Sequence, residues 1–290
     1  MKTVAVVGAD GMLGREIAAQ LRAAGTGVLS VGRRAQHDIR LDLEERAPSF
    51  DPALPAVDAV IHCASSFGGD DLAGCTQNLR VNELGALHLV ALAQALRCST
   101  VVYAGSISSY PDSAPMTSYG LSKAHAEAWL SWGMARIGGR ACSLRLAQLY
   151  DAEGACCAHQ PWFGRIIAYV SRGLELRLPP PSSPRNFVHV VDAARMMIKA
   201  AQQHLEGIWP LCHDEHLQYE EIAQMADDVF GAGASLVIDP RKSPFRPTGF
   251  PDASPLFERL ADRPRITMRE GLSLIRRHGR AAHFGPMDVT

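Results

Sequence analysis

Five short β-branched runs, TVAVVG, GVLSVG, DAVIHCAS, TVVYAGS and ACSLRLAQLY, punctuate the first 150 residues. Alanine- and leucine-rich stretches with apolar residues at helical spacing fill the gaps between them. A strand, a helix and a second strand return the chain in its original direction. Repeated, that unit predicts a parallel sheet with helices on both faces. After Asp151 the texture changes. Helical patterns in PWFGRIIAYVSRG, DAARMMIKAAQQH, YEEIAQMADDVFG and around TMREGLSLIRRHG surround a strand-like GIWPLCH. Two proline-rich stretches, LPPPSSP and DPRKSPFRPTGFPDASP, read as loops. Residues 1–150 are expected to form a first domain, to which 186–212 return, and 151–290 a smaller mixed region.

Composition narrows the partners. The chain has 290 residues and a formal net charge of −1, so it advertises no surface for nucleic acid or an anionic membrane. No window reaches the roughly 18 apolar residues of a membrane span, and the N-terminal apolar run is broken too early for a signal peptide. Seven cysteines, an odd number with no CxxC pair, suit reduced thiols in a cytoplasmic protein better than a disulfide framework or a zinc site. No metal is expected.

The first strand runs into GADGMLG, a GxxGxxG with glycines at 8, 11 and 14 and with Met12 and Leu13 between the last two. Gly8 and Gly11 let the backbone turn tightly and approach a pyrophosphate, and the following helix turns its N-terminal N–H groups and dipole to the anion. In a strand–loop–helix this reads as dinucleotide binding. An NAD site usually carries an acid about 20 residues further on, at the end of the second strand. VLSVGRR has Gly32, Arg33 and Arg34 there. A small residue leaves room for a 2′-phosphate, and a guanidinium pairs with it. NADP is the cofactor this favours, with NAD as the alternative. The plainer reading makes Arg33 and Arg34 a solvated strand end.

In SYGLSKAHAEAW, Tyr119 precedes Lys123 by one helical turn, so both share a face. Two amphipathic side chains covering a helix satisfy that spacing. So does a phenol whose pKa, ordinarily about 10, is lowered by an ammonium for proton exchange near neutral pH.

Further segments follow in order: Asp42-Leu43 in RLDLEE, His62-Cys63-Ala64-Ser65, Asn82 in LRVNELGALHLV, SISSY at 106–110, RNFVHVVDAAR at 185–195 and PRITMREGL at 264–272. With the glycine loop and the Tyr–Lys pair, they make the chain resemble the extended short-chain dehydrogenase/reductase family, the group of NAD(P)-dependent nucleotide-sugar epimerases, dehydratases and reductases. The resemblance implies a Rossmann-like doubly wound α/β sheet with a C-terminal substrate-binding region. It implies Tyr119 as general acid/base, Lys123 lowering its pKa and holding the nicotinamide ribose, and Ser106 on the substrate oxygen. Asp42, Leu43, Cys63, Ala64, Ser65 and Asn82 are then expected at the cofactor, and Ser108, Gln148, Arg185 and Arg241 at the substrate, the two arginines on its pyrophosphate. A homodimer built on the helices around Leu84–Leu96 and Lys123–Ile137 is implied as well.

Absences narrow the reaction. No Asp-Glu pair follows Ser106, so no carboxylate is available to a dehydratase, and no cysteine flanks it as in the combined epimerase-reductases. The expectation is NADPH-dependent reduction of a keto group on a nucleotide-linked sugar, a small-molecule substrate. An NAD-dependent 4-epimerase is the alternative, and a non-catalytic cofactor-binding regulator a further one. Gln148 stands where the family often has asparagine, Asn186 replaces an aspartate, and the interval from Tyr110 to Tyr119 is short. His189 and Asp192 are expected to cap a helix start.

Overall fold

A strand covered on both faces needs a continuous apolar run, not an alternating one. TVAVV supplies it in β1 (Thr3–Val7), where every residue but the first is buried. The chain continues through α1 (Met12–Ala23), β2 (Gly27–Gly32), β3 (Ile39–Arg40), β4 (Ala59–His62), α2 (Leu72–Asn78), α3 (Gly85–Ala95), β5 (Thr100–Ser106), α4 (Ser118–Arg136) and β6 (Arg140–Leu146). Then come β7 (Gln148–Tyr150), α5 (Pro161–Val170), β8 (Leu176–Leu178), β9 (Phe187–His189), α6 (Val190–Gln202), β10 (Gly207–Leu211), α7 (Tyr219–Phe230), β11 (Leu236–Ile238), α8 (Ser254–Leu260) and α9 (Met268–Arg277). This computed structural model describes residues 1–45, 47–110 and 116–287. Most of the short interval between Tyr110 and Tyr119 lies outside the described residues.

Among the described residues seven strands form one parallel sheet in the order β10–β6–β5–β4–β1–β2–β3. This is the Rossmann-like doubly wound sheet that the alternation of strands and helices predicts. The order reverses between β1 and β4, and in open α/β sheets the crevice at such a reversal is where ligands bind.

The chain divides into two compact units. The first comprises Met1–Leu146, Ala193–Leu211 and Asp252–Arg263, the second Ala147–Asp192, Cys212–Pro251 and Pro264–Thr290. In the first, α3 and α4 pack together, and Leu89, Leu92, Ala126, Leu130 and Met134 join Val101 and Tyr103 in a single buried cluster. Gly133 permits the close approach: a Cβ there would lie 2.6 Å from a methyl of Val90. Thr117 starts α4 as its N-cap, its hydroxyl accepting the Gly120 N–H at 3.1 Å. The helix therefore begins five residues before the KAHAEAW pattern and takes in Tyr119.

The second unit holds two short parallel pairs, β7–β9 and β8–β11. Its core is aromatic, with the fully buried Tyr150 ring 5.2 Å from Phe163 and 4.9 Å from His189. Gly271 in α9 makes room for it, since a Cβ there would come within 2.5 Å of the Tyr150 ring. ACSLRLAQLY reads as one strand in the sequence, but the chain breaks at Ala147. β6 pairs with β5 and β10, while β7 pairs only with β9. Burial on both sides of the break hides it from any pattern of hydrophobicity.

Gly14 cannot accept a side chain without moving backbone, because a Cβ would lie 2.8 Å from the Gly8 carbonyl carbon and 2.9 Å from Ala9 Cα. Gly14→Ala is expected to cost at least ~2 kcal/mol of stability, the scale of overpacking a tight site, measured by urea unfolding.

Candidate active site

At the sheet reversal the glycine loop is shaped by close contacts. Gly8 has φ +79°, and a Cβ on it would lie 2.8 Å from the Ala64 nitrogen just past β4. Its own N–H donates to Val31 O at 2.9 Å, and the Gly11 N–H closes the turn on Gly8 O at 3.0 Å. Gly11 caps α1 with no side chain, so the first-turn N–H groups, those of Met12 and Leu13 included, are left to a ligand. Leu13 itself packs inward, 7% exposed. A cradle that any Cβ would fill, at a bare helix N-terminus, fits a dinucleotide pyrophosphate.

Beside the second strand the expectation needs correction. The space next to Gly32 does not stand open, because the His37 ring occupies it, 2.5 Å from where a Cβ would be. His37 Nε2 lies 3.1 Å from the Asp10 carboxylate in the glycine loop, and Arg34 reaches the same oxygen at 3.4 Å. Arg33 is exposed and has no side-chain partner among the described residues. Asp42 bends its own loop by accepting the Glu44 N–H at 3.0 Å. Leu43 joins the hydrophobic cluster under α3, so its side chain serves the core, not an adenine.

The three side chains expected to react come from β5 and α4. Ser106, the last residue of β5, accepts the Ser108 N–H at 3.1 Å, which leaves its own proton free to donate. Its hydroxyl and that of Ser65 hydrogen-bond the Tyr119 phenol. Both bonds favour the phenolate, but removal from water outweighs them and the phenol is pushed up to about 12. The sequence leads one to expect a phenol lowered by Lys123. The lysine instead donates to the Tyr103 hydroxyl at 3.0 Å and to Ala104 O at 2.7 Å. Only 1% exposed, Lys123 is lowered to about 7 by desolvation, with Glu127 and Cys63 opposing. The Cys63 thiol is itself pushed up to about 12 by burial.

Asn82 also departs from the expected role. Its Oδ1 accepts from Ser66 N at 2.8 Å and Ser65 Oγ at 3.0 Å, and its Nδ2 donates to Ser66 O and Ser122 Oγ, both at 3.0 Å. Committed on every side, the amide does not reach a cofactor; it sets Ser65 against Tyr119. Asn82 lies in a π-helical turn, Leu79–Leu84, between α2 and α3. One turn earlier Asn78 repeats the device, binding Gly68 N and O at 2.9 Å and Ser118 Oγ at 3.0 Å. The sequence reading missed Asn78, although the Asn82–Ser122 and Asn78–Ser118 pairs share one spacing. It also missed Phe67, whose ring stacks on Tyr119 at 5.0 Å.

Residues 4–209 match the NAD dependent epimerase/dehydratase family. The chain belongs to that family. A dTDP-4-dehydro-6-deoxy-D-allose reductase from a Streptomyces species is 24% identical over 310 residues, covering 93% of this chain and 94% of the relative. Among solved structures, UDP-N-acetylglucosamine 4-epimerase from Bacillus cereus superposes with TM-score 0.80 at 22% identity, covering 100% of this chain and 99% of its own. RMD from Pseudomonas aeruginosa, complexed with NADPH, gives TM-score 0.78 at 22% identity, covering 97% and 100%.

Within the second unit, Gln148 donates to Gln160 Oε1 at 2.8 Å. Arg185 is 8% exposed, bonded to Thr248 Oγ1 and Arg246 O at 2.9 Å, and lies over the rings of Tyr219 and Phe245. Arg241 forks onto Asp239, at 2.9 Å for each of two bonds, with its side chain 79% exposed. Asp192 corrects the capping expectation: it lies inside the first turn of α6 and accepts the N–H groups of Arg265 and Ile266, both at 2.7 Å. His189 precedes the helix and accepts the Val191 N–H on Nδ1 at 3.3 Å.

Desolvation lowers His189 to about 4 and holds His62 well below the usual imidazole range. Both fold neutral, whereas the unfolded chain takes up protons near pH 6.5. Stability is therefore fully present above about pH 6.5 and falls as pH drops towards 4, by roughly 1.4 kcal/mol per unit for each such histidine. Urea unfolding across this window is expected to show that slope, and His189→Gln to make it shallower.

Proposed function

We propose that this chain reduces a keto group on a nucleotide-linked sugar with NADPH. One observation carries the reading: Tyr119 holds its proton at neutral pH and meets two hydroxyls, Ser106 and Ser65, at its oxygen. A phenol in that state is a proton donor. Reduction needs a donor at the carbonyl oxygen, whereas epimerisation opens with removal of an alcohol proton and needs a phenolate. The bound nicotinamide supplies the hydride. Tyr119 gives its proton to the carbonyl oxygen, Ser106 bonds that oxygen as charge gathers on it, and the Lys123 ammonium steadies the phenolate left behind.

The first unit binds the dinucleotide and the second the nucleotide-linked sugar. Trp162, Tyr219 and Phe245 lie together there beside Arg185 and Lys242, an aromatic and cationic set suited to a base and its phosphates. The curated relatives' reductase names agree with the reaction. NADP rather than NAD is supported by three basic side chains after the second strand: Arg34 and His37, both at Asp10, and the exposed Arg33. The active form is a homodimer joined through α4, where Leu121, Trp129 and Trp132 are 47%, 42% and 54% exposed. Seven free cysteines support a cytoplasmic location.

In a nicotinamide-fluorescence titration, Arg33→Ala is expected to weaken NADPH binding by about 10-fold or more, the worth of a charge-assisted bond, and to leave NADH unchanged. Equal binding of both cofactors by the wild type, or NAD that copurifies and resists dialysis, sinks the NADPH assignment and makes sugar epimerisation the reaction to assay. Tyr119→Phe is expected to lower keto-sugar reduction by ~10²–10⁴-fold with little change in NADPH affinity, read by steady-state kinetics.

A further inference from the structure

The mechanism asks for a charged Lys123 at a fixed place, and burial opposes that charge. Its hydrogen-bond partners are not on the lysine's own helix. Two of the three Nζ–H donors are spent on β5, one on the Ala104 carbonyl at 2.7 Å and one on the Tyr103 hydroxyl at 3.0 Å. A backbone carbonyl can follow the amine only as far as the strand moves. The phenol of Tyr103 is a side-chain partner of another kind, because it can accept from an ammonium and donate to an amine. Tyr103 is fully buried. His62, from the neighbouring strand β4, stacks on its ring at 5.1 Å and 7° between planes.

We propose that Tyr103 is the positioning residue for Lys123, fixing the ε-amino group through its hydroxyl and thereby setting the pH range in which the lysine is charged. Tyr103 touches neither substrate nor cofactor in this proposal; it acts through Lys123. The idea rests on the catalytic assignment made above only for its consequence, since the Tyr103–Lys123 bond itself is a property of the chain alone.

The sign follows from who accepts. A phenol oxygen accepting from the ammonium favours the charged form and raises the lysine's pKa; removing the oxygen lowers it. Other groups around the amine act in known directions. Glu127, one turn along α4, favours the charge, and its carboxylate is itself engaged by Arg145 and Ser143 from β6. Cys63 also raises the lysine. His62 stays neutral in its burial, and the Tyr119 phenol stays protonated. None of these reports the Tyr103 oxygen, so a single-oxygen deletion isolates it.

The chain has only four lysines, Lys2, Lys123, Lys199 and Lys242, so protein labelled with ¹³C at lysine Cε gives four resonances. Lys123→Gln identifies the one of interest. That resonance is followed by NMR through neutral pH in the wild type, in Tyr103→Phe and in Tyr103→Met, with thermal melting to establish that each variant is folded. Either folded variant suffices. The expected result is a Lys123 midpoint about one pH unit lower than in the wild type, with the other three lysines unmoved. The alkaline limb of keto-sugar reduction is expected to shift down with it. An unchanged midpoint in a folded variant overturns the proposal, wherever the wild-type midpoint lies. A purely structural role for Tyr103 predicts a lower melting temperature with the same midpoint, and that also overturns it. Should the wild type bind neither NADPH nor NADH, the functional reading fails, while the comparison of midpoints still decides the role of Tyr103.

Discussion

Taking one ammonium out of water organises the first unit. Lys123 is buried as deeply as any leucine around it, and an ion in that position is tolerated only with partners on several sides. β5 meets it with a carbonyl and a phenol, and α4 with the Glu127 carboxylate one turn away. Glu127 is 1% exposed and is held in turn by Arg145, whose guanidinium lies over the Tyr110 ring at 4.2 Å. The Lys123 charge is thus linked outward, to Glu127, then Arg145, then Tyr110. Each link is a reason why β5, β6 and α4 must keep their mutual register.

The loop after β4 is held by different means. It carries Ser65 towards Tyr119 with no regular hydrogen bonding of its own, so its shape depends on side chains that accept and donate at once. Asn78 and Asn82 do this from successive turns, and the π-helical turn that includes Asn82 shifts the helix phase between α2 and α3. The rigid placement of a serine hydroxyl here is an outcome of amide side chains in a neighbouring helix.

Much of this was legible in the sequence. Strand and helix periodicity named the sheet, since buried parallel strands must be apolar runs, and SYGLSK drew attention to Tyr119 and Lys123. What escaped was decided by contacts between distant residues. Nothing in the run ACSLRLAQLY marks Ala147 as a break, because both halves are apolar and buried. Gly32 suggested empty space, but the ring filling it comes from His37, beyond the strand's end. The acid missing at Asn186 was a departure from the family pattern in the sequence; in the structure Nδ2 donates to the carbonyls of His213 and Glu215, which a carboxylate cannot do. Tyr103 sat within an apolar strand and carried no signal, since its role appears only when an oxygen on one strand meets an amine on a helix.

The chain passes between its two units at Leu146, Asp192, Leu211, Pro251 and Arg263. The edge strand β10 of the first unit is therefore written into the sequence only after the first segment of the second, and the helix α8 only after most of it. During synthesis, the β6 edge of the sheet must wait, unpaired, until β10 emerges from the ribosome. For evolution the same threading means that neither unit is a transferable module. A new second unit can replace the present one only by substitution in place, or by a graft that respects all five junctions at once.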